Sequence, residues 1–334
     1  MDKANLSKIA SQMGQMPGGI LAADESVGTM GKRLEALGLP NTFELRNAWR
    51  KVMFGATITP YVNGVILFEE QLENQQLVKM ILDQGALAGI KIDKGLAPFE
   101  GSEVDEVTQG TEDADERLAR YKSLNASFTK FRSFLHIRTA EGFPSEGCIR
   151  ANAKVQAEFA LASQKAGLVP MVEPEVDMAG EHSIEDCKNV TEKVLKIVFE
   201  ALSEVDVFLP GVVLKPNMIL SGSKAQNRAS AQEVARATID VLQSVVPSEV
   251  TVIPFLSGGQ SDAEAYANLD AINKLAQKEG VFAKRRFTYS FGRAAQDTAR
   301  AVWAGKDENI EASREKFVAL LKEMSDASMG TYSS

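Results

Sequence analysis

Histidine and cysteine are scarce in this chain: two of each in 334 residues. Two histidines cannot build a three-histidine zinc site, so histidine-rich metal catalysis is not expected. Cys148 and Cys187 lack metal-type spacing and read as reduced thiols of a cytosolic protein. His136, in SFLHI, reads as a satisfied strand or core residue, and His182, in the polar segment GEHSIED, as a solvated loop residue. Positive charge is also in deficit. The formal net charge is −8, which argues against a general nucleic-acid or membrane-surface binder. No apolar run reaches the length of a membrane span, and MDKANLSKIASQMGQ lacks the continuous apolar core of a signal peptide. The dinucleotide fingerprint GxGxxG after a strand is missing, as is a P-loop, so an open doubly wound sheet is the weaker fold reading.

What is present is a set of eight short apolar runs bounded by turn residues. They are GILAAD (19–24), GVILF (64–68), AGIKIDKG (88–95), SFTKFRSFLHI (127–137), LVPMVEPEV (168–176), GVVLKPNM (211–218), VTVIPFLSGG (250–259) and RFTYSFGR (286–293). Segments with helical periodicity separate most of them, and ENIEASREKFVALLKEMS supplies a last helix. Nearly continuous apolar strands alternating with helices predict an α/β fold, a (β/α)8 TIM barrel. No linker breaks the chain, so residues 1–334 are expected to form one barrel domain, with a short tail from about 325 to 334. The acidic stretch 101–116 is expected to be a solvated loop.

Polar groups collect at the ends of these runs. Asp24 ends the first, Lys91 and Lys94 the third, Glu173 and Glu175 the fifth, Lys215 the sixth, Ser257, Gly258 and Gly259 the seventh, and Gly292 and Arg293 the eighth. Lys130 and Arg132 lie two apart on the fourth and share a face. Any one of these could be a solvated strand terminus, and Asp24 could simply cap a helix. In a barrel, however, all the strand C-termini converge at one mouth, where active sites lie. A dry lysine beside a second cation, Lys215 with Lys130, is suited to attack a carbonyl, and Asp24, Glu173 and Glu175 to move protons. Small residues and an arginine after the last two strands fit a phosphate. Ser26, Thr29, Arg33 and Lys91 could hold a second one. These residues predict a Schiff-base enzyme acting on a phosphorylated carbonyl compound, a monophosphate or a bisphosphate.

The motifs GGILAADES, GVILF, GIKIDKG, TKFR, VPMVEPE, LKPNM, FLSGGQS and SFGRA occur in order from about Gly18 to about Gly330. Together they resemble class I fructose-bisphosphate aldolase. The resemblance implies reversible, metal-free and cofactor-free cleavage of fructose 1,6-bisphosphate in glycolysis and gluconeogenesis, by a cytoplasmic homotetramer whose partners are small phosphorylated sugars. By the same resemblance Lys215 forms the iminium with the ketose C2. Glu173 is the acid/base for carbinolamine formation and dehydration, and Asp24 takes the C4 hydroxyl proton. Lys130 supports these steps with Glu175 as its partner in the site. Ser257, Gly258, Gly292 and Arg293 cradle the C1 phosphate, and Ser26, Thr29, Arg33, Lys91 and Arg132 meet the other phosphate end or shift as substrate binds. The alternatives are a sister lyase preferring fructose 1-phosphate or sedoheptulose 1,7-bisphosphate, and a non-catalytic scaffold on the same fold. Thr29 stands where serine is common, Phe131 where tryptophan is frequent, and Phe291 where tyrosine is frequent. The given sequence ends in GTYSS, where animal aldolases carry a longer tail whose last tyrosine helps protonate the enamine. That step is expected to fall to Tyr332, another acid or water.

Overall fold

A computed structural model describes residues 1–281 and 285–333. Ser334, in the expected tail, lies outside the described residues. Eight strands form the barrel wall: β1 (Gly19–Ala23), β2 (Val62–Leu67), β3 (Leu87–Lys91), β4 (Phe128–Leu135), β5 (Val169–Val176), β6 (Val213–Leu214), β7 (Val252–Phe255) and β8 (Arg286–Tyr289). The first six pair in sequence order, all parallel, and β7 pairs parallel with β8. Two backbone bonds close the ring. Leu256 N donates to Pro216 O across the β6–β7 seam, and Ala22 N donates to Phe291 O across the β8–β1 seam.

Each expected run overlaps its strand, but β2 and β3 begin before their runs, at Val62 and Leu87, and several runs are longer than the ladder. The sixth shrinks to two residues because Pro216 has no N–H to continue the pairing that Lys215 N still makes to Val172 O, at 2.8 Å. The side chain of Asn217 then restores the link. Its Oδ1 accepts from Val176 N at 3.2 Å, and its Nδ2 donates to Thr191 Oγ1 and to Met218 O.

Period-two alternation sorts each strand into two cores. Outward residues such as Leu21, Val65, Ile90, Phe131 and Val172 pack beneath the helical layer. Inward residues Ile20, Ala22, Ile66, Phe128, Val169, Met171, Val213 and Val252 fill the lower barrel together with Leu6, Ala10 and Met13 of the helix Lys3–Met13, which plugs the N-terminal end. The Phe128 ring lies over Gly89, its register partner on β3. A Cβ on Gly89 would sit 2.2 Å from its ring, so only glycine permits that approach.

The acidic stretch is more ordered than expected. Leu96–Pro98 pairs antiparallel with Glu106–Thr108, and a helix runs over Ala114–Ser123. Asp105 is buried and accepts from Ser145 N, so a residue read as solvated anchors the hairpin. The last helix runs Ile310–Met329, beyond the point where the tail was expected to begin. His182 is also corrected. It is buried because the loop after β5 packs on the loop after β6: Gly222 N donates to His182 O, Lys224 N to Gly180 O and Ser223 N to Met178 O. Desolvation there holds its imidazole below the usual range. His136 lies just past β4, partly exposed between the carboxylates of Glu106 and Asp177 rather than in the core.

Candidate active site

Along four strands the inward row runs from apolar to charged as it approaches the C-terminal mouth. It reads Phe128, Lys130, Arg132 on β4; Val169, Met171, Glu173, Glu175 on β5; Val213 then Lys215 on β6; and Ile20, Ala22, Asp24 on β1. All fourteen residues to which the resemblance assigns a role line one cavity of 960 Å³ at this mouth.

A chain of buried charges crosses the cavity floor. Lys215 Nζ lies 3.0 Å from Glu173 Oε1, Lys130 Nζ lies 2.9 Å from Glu173 Oε2, and the same Nζ lies 3.0 Å from Asp24 Oδ2. The side chains of Lys215 and Glu173 are each 4 % exposed, so these pairs sit out of water, where an unpaired charge is costly. Burial alone would raise the Asp24 carboxyl, but the ammonium groups of Lys130 and Lys215 outweigh it and hold it at about 2. Burial opposes ionisation of Glu173 as well, and Lys130 and Lys215 again prevail and keep it below its usual range. For Lys130 the penalty of burial is outweighed by Asp24 and Glu173, which raise it. In the resting site at neutral pH Lys130 is therefore a cation and its two neighbours are carboxylates.

The cavity has a cationic set toward one side. Arg132 Nε pairs with Glu175, Lys91 with Asp93, and Arg33 with Glu25. Ser26 caps the helix Val27–Glu35, accepting from Thr29 N and meeting the Thr29 hydroxyl at 3.1 Å. The cap in this segment is thus Ser26, and Asp24 is left free to face the site. At another side, Ser257 and Gly258 follow β7, and Gly292 and Arg293 open the helix Arg293–Trp303, whose N-terminus carries no side-chain cap. Such an end offers unpaired N–H groups to an anion. Gly259, at φ +73°, lets this loop lie against Met178; a Cβ there would fall 2.3 Å from the Met178 Cβ.

Three contributors were not read from the sequence. Asp93 pairs with Lys91 and accepts from Arg132 N at 3.4 Å; its signal was the i, i+2 spacing in KIDK. Glu25 is held by Arg33, by the fully buried Arg50 at 2.6 Å and by Gln296 at 2.9 Å, a network with no local sequence signal. Asn217 is the third.

A family model described as fructose-bisphosphate aldolase class-I matches residues 5–334. This chain belongs to the class I fructose-bisphosphate aldolase family. Its activity is that of this family, a metal-independent lyase. The aldolase is 43 % identical to fructose-bisphosphate aldolase C-A of Danio rerio, over 99 % of this chain and 91 % of that one. It is also 43 % identical to the non-muscle type enzyme of Lethenteron camtschaticum, over 94 % and 87 %. Among solved structures, fructose-bisphosphate aldolase from Plasmodium falciparum, crystallised with TRAP and a small-molecule inhibitor, superposes with a TM-score of 0.96 at 38 % identity, covering 99 % of this aldolase and 96 % of that chain. No helix among the described residues of the aldolase is long and apolar enough to cross a membrane.

Proposed function

We propose that this aldolase cleaves fructose 1,6-bisphosphate, reversibly, into dihydroxyacetone phosphate and glyceraldehyde 3-phosphate through an iminium on Lys215. The observation that carries this reading is the single buried carboxylate of Glu173 with the two ammonium groups of Lys215 and Lys130 on its two oxygens. Lys215 gives up a proton to become a nucleophile, and Glu173 is the adjacent acceptor. The amine adds to the ketose C2. Glu173 then returns a proton to the carbinolamine oxygen, and water leaves. The iminium draws electrons from the C3–C4 bond while Asp24, ionised and held by Lys130, takes the C4 hydroxyl proton. The aldehyde departs and leaves an enamine. Protonation at C3 and hydrolysis free the second product. Lys130 stays charged throughout and keeps both carboxylates in their working form.

Gly292 and Arg293, with Ser257 and Gly258, supply the donors for the C1 phosphate. Ser26, Thr29, Arg33, Lys91 and Arg132 receive the other phosphate end, the last three by exchanging a carboxylate partner for the phosphate, and Glu175 holds Arg132 until then. Two cationic regions in one cavity favour a bisphosphate over a monophosphate. The enzyme works in the cytoplasm as a homotetramer, in glycolysis and gluconeogenesis. Borohydride reduction of the protein mixed with dihydroxyacetone phosphate, followed by peptide mass spectrometry, tests the chemistry. The expected result is adduct mass on the Lys215 peptide, with activity lost in proportion. A normal fold with no adduct would sink the proposal.

A further inference from the structure

Behind the proposed C1-phosphate cradle lies a side chain that the mechanism does not use. Tyr266, in the helix Asp262–Lys278, is 2 % exposed, and its phenol donates to the Ala294 carbonyl oxygen at 2.8 Å. Ala294 is the second residue of the helix that Gly292 and Arg293 open. A helix carbonyl has two lone pairs, so it accepts this bond without giving up the ladder. The same ring lies nearly parallel to Phe291, at 12° and 6.3 Å between centroids. Phe291 O in turn accepts from Ala22 N at 3.0 Å. The segment 290–294 is thus clamped between β1 on one side and Tyr266 on the other.

Tyr266 is itself covered. The Tyr332 ring meets it edge-on at 5.7 Å, and Tyr332 N donates to Asp270 Oδ1 at 3.0 Å, one turn further along the Tyr266 helix. Gln277 Nε2 donates to Met329 O at 2.8 Å, which ties down the entry to this segment. Tyr332 lines a surface groove with Ala267, Asp270 and Lys274, and is not among the residues of the catalytic cavity. Its place in the described structure is on the outer face of this helix.

We infer that Tyr266 is a positioning residue for the phosphate cradle, with Tyr332 as the cover that holds it in place. The inference rests on the proposed phosphate role of Gly292 and Arg293. A phenol anchored in the helix Asp262–Lys278 fixes the first turn of the next helix, so that its free N–H groups and the Arg293 side chain face the cavity together. Burial raises the phenol of Tyr266, so it remains a donor across the working pH range.

The test uses the full chain with Tyr266→Phe, Tyr332→Ala and Arg293→Ala, and inorganic phosphate as the probe. Phosphate inhibition, KM, kcat and melting temperature are measured for each. Loss of one hydrogen bond predicts that Tyr266→Phe weakens phosphate about five-fold and raises KM by a similar factor. Its kcat should change less than about two-fold, because the Lys215 chemistry is untouched. Tyr332→Ala should weaken phosphate about two-fold, since it loosens the ring without removing the bond. Two results would overturn the inference while sparing the phosphate assignment. One is phosphate binding unchanged in Tyr266→Phe but weakened in Arg293→Ala. The other is kcat and phosphate binding falling together in Tyr266→Phe with a lowered melting temperature, which marks a structural role alone. Unchanged phosphate binding in Arg293→Ala would overturn both, because the cradle itself would lie elsewhere.

Discussion

The two ends of the barrel interior are built from the same strands and do opposite work. At the N-terminal end, Ile20, Ile66, Phe128, Val169 and Val213 meet the helix Lys3–Met13 in an apolar plug. Two to four residues further along, the same inward rows become Asp24, Lys130, Glu173 and Lys215. Neither end is wet. What differs is the means of satisfying burial: dispersion and exclusion of water below, ion pairs sharing oxygens above. The plug contributes stability and needs no polar precision. The charged floor keeps Asp24 and Glu173 ionised at rest through Lys130, and its members depend on one another.

That contrast can be broken from either end. The largest effect is expected from Lys130→Met, which removes the cation between Asp24 and Glu173. Turnover should fall about 10²–10⁴-fold. In the intact site Asp24, at about 2, stays ionised down to strongly acidic pH; its contribution to stability is complete above pH 4 and is lost as pH falls toward 2. Without Lys130 its carboxyl rises, so the acid limb of the residual kcat/KM profile should move to higher pH. An unmoved limb would mean that Asp24 is not governed by Lys130. At the other end, Phe128→Ala should cost about 3–5 kcal/mol of stability, read by denaturant unfolding, while the borohydride adduct still forms on Lys215. Loss of the adduct in a folded Phe128→Ala protein would show that the plug and the floor are not separable. The smallest effect is expected from deleting residues 331–334, which should slow turnover far less than Lys215→Met does. Equal losses would place a tail residue in the chemistry, against the outer position of Tyr332.

Much of this contrast was legible in the sequence, because it is written at spacing two. Lys130 with Arg132 and Glu173 with Glu175 announce a shared face, and eight apolar runs announce the wall. What was not legible depends on distant packing. The lower plug needed the N-terminal helix, whose moderate pattern in KANLSKIASQM gave no hint of a barrel end. His182 lies in a polar segment and is buried only because Gly180 and Gly222 bring two loops into contact. Asn217 reads as a turn residue beside proline, and its task appears only when Val176 is found next to it. The buried group of Glu25, Arg50 and Gln296 joins positions up to 271 residues apart. No window of sequence contains such a set.

The plugged end has a consequence for traffic. With Leu6 and Met13 fully buried against the strands, the vessel has a floor, and among the described residues its door is the mouth opposite. Two products made in such a vessel must queue. On the proposed mechanism the free aldehyde can walk out, while the half bonded to Lys215 is on a leash and leaves last. Run backwards, the same door makes the tethered partner the first to be seated.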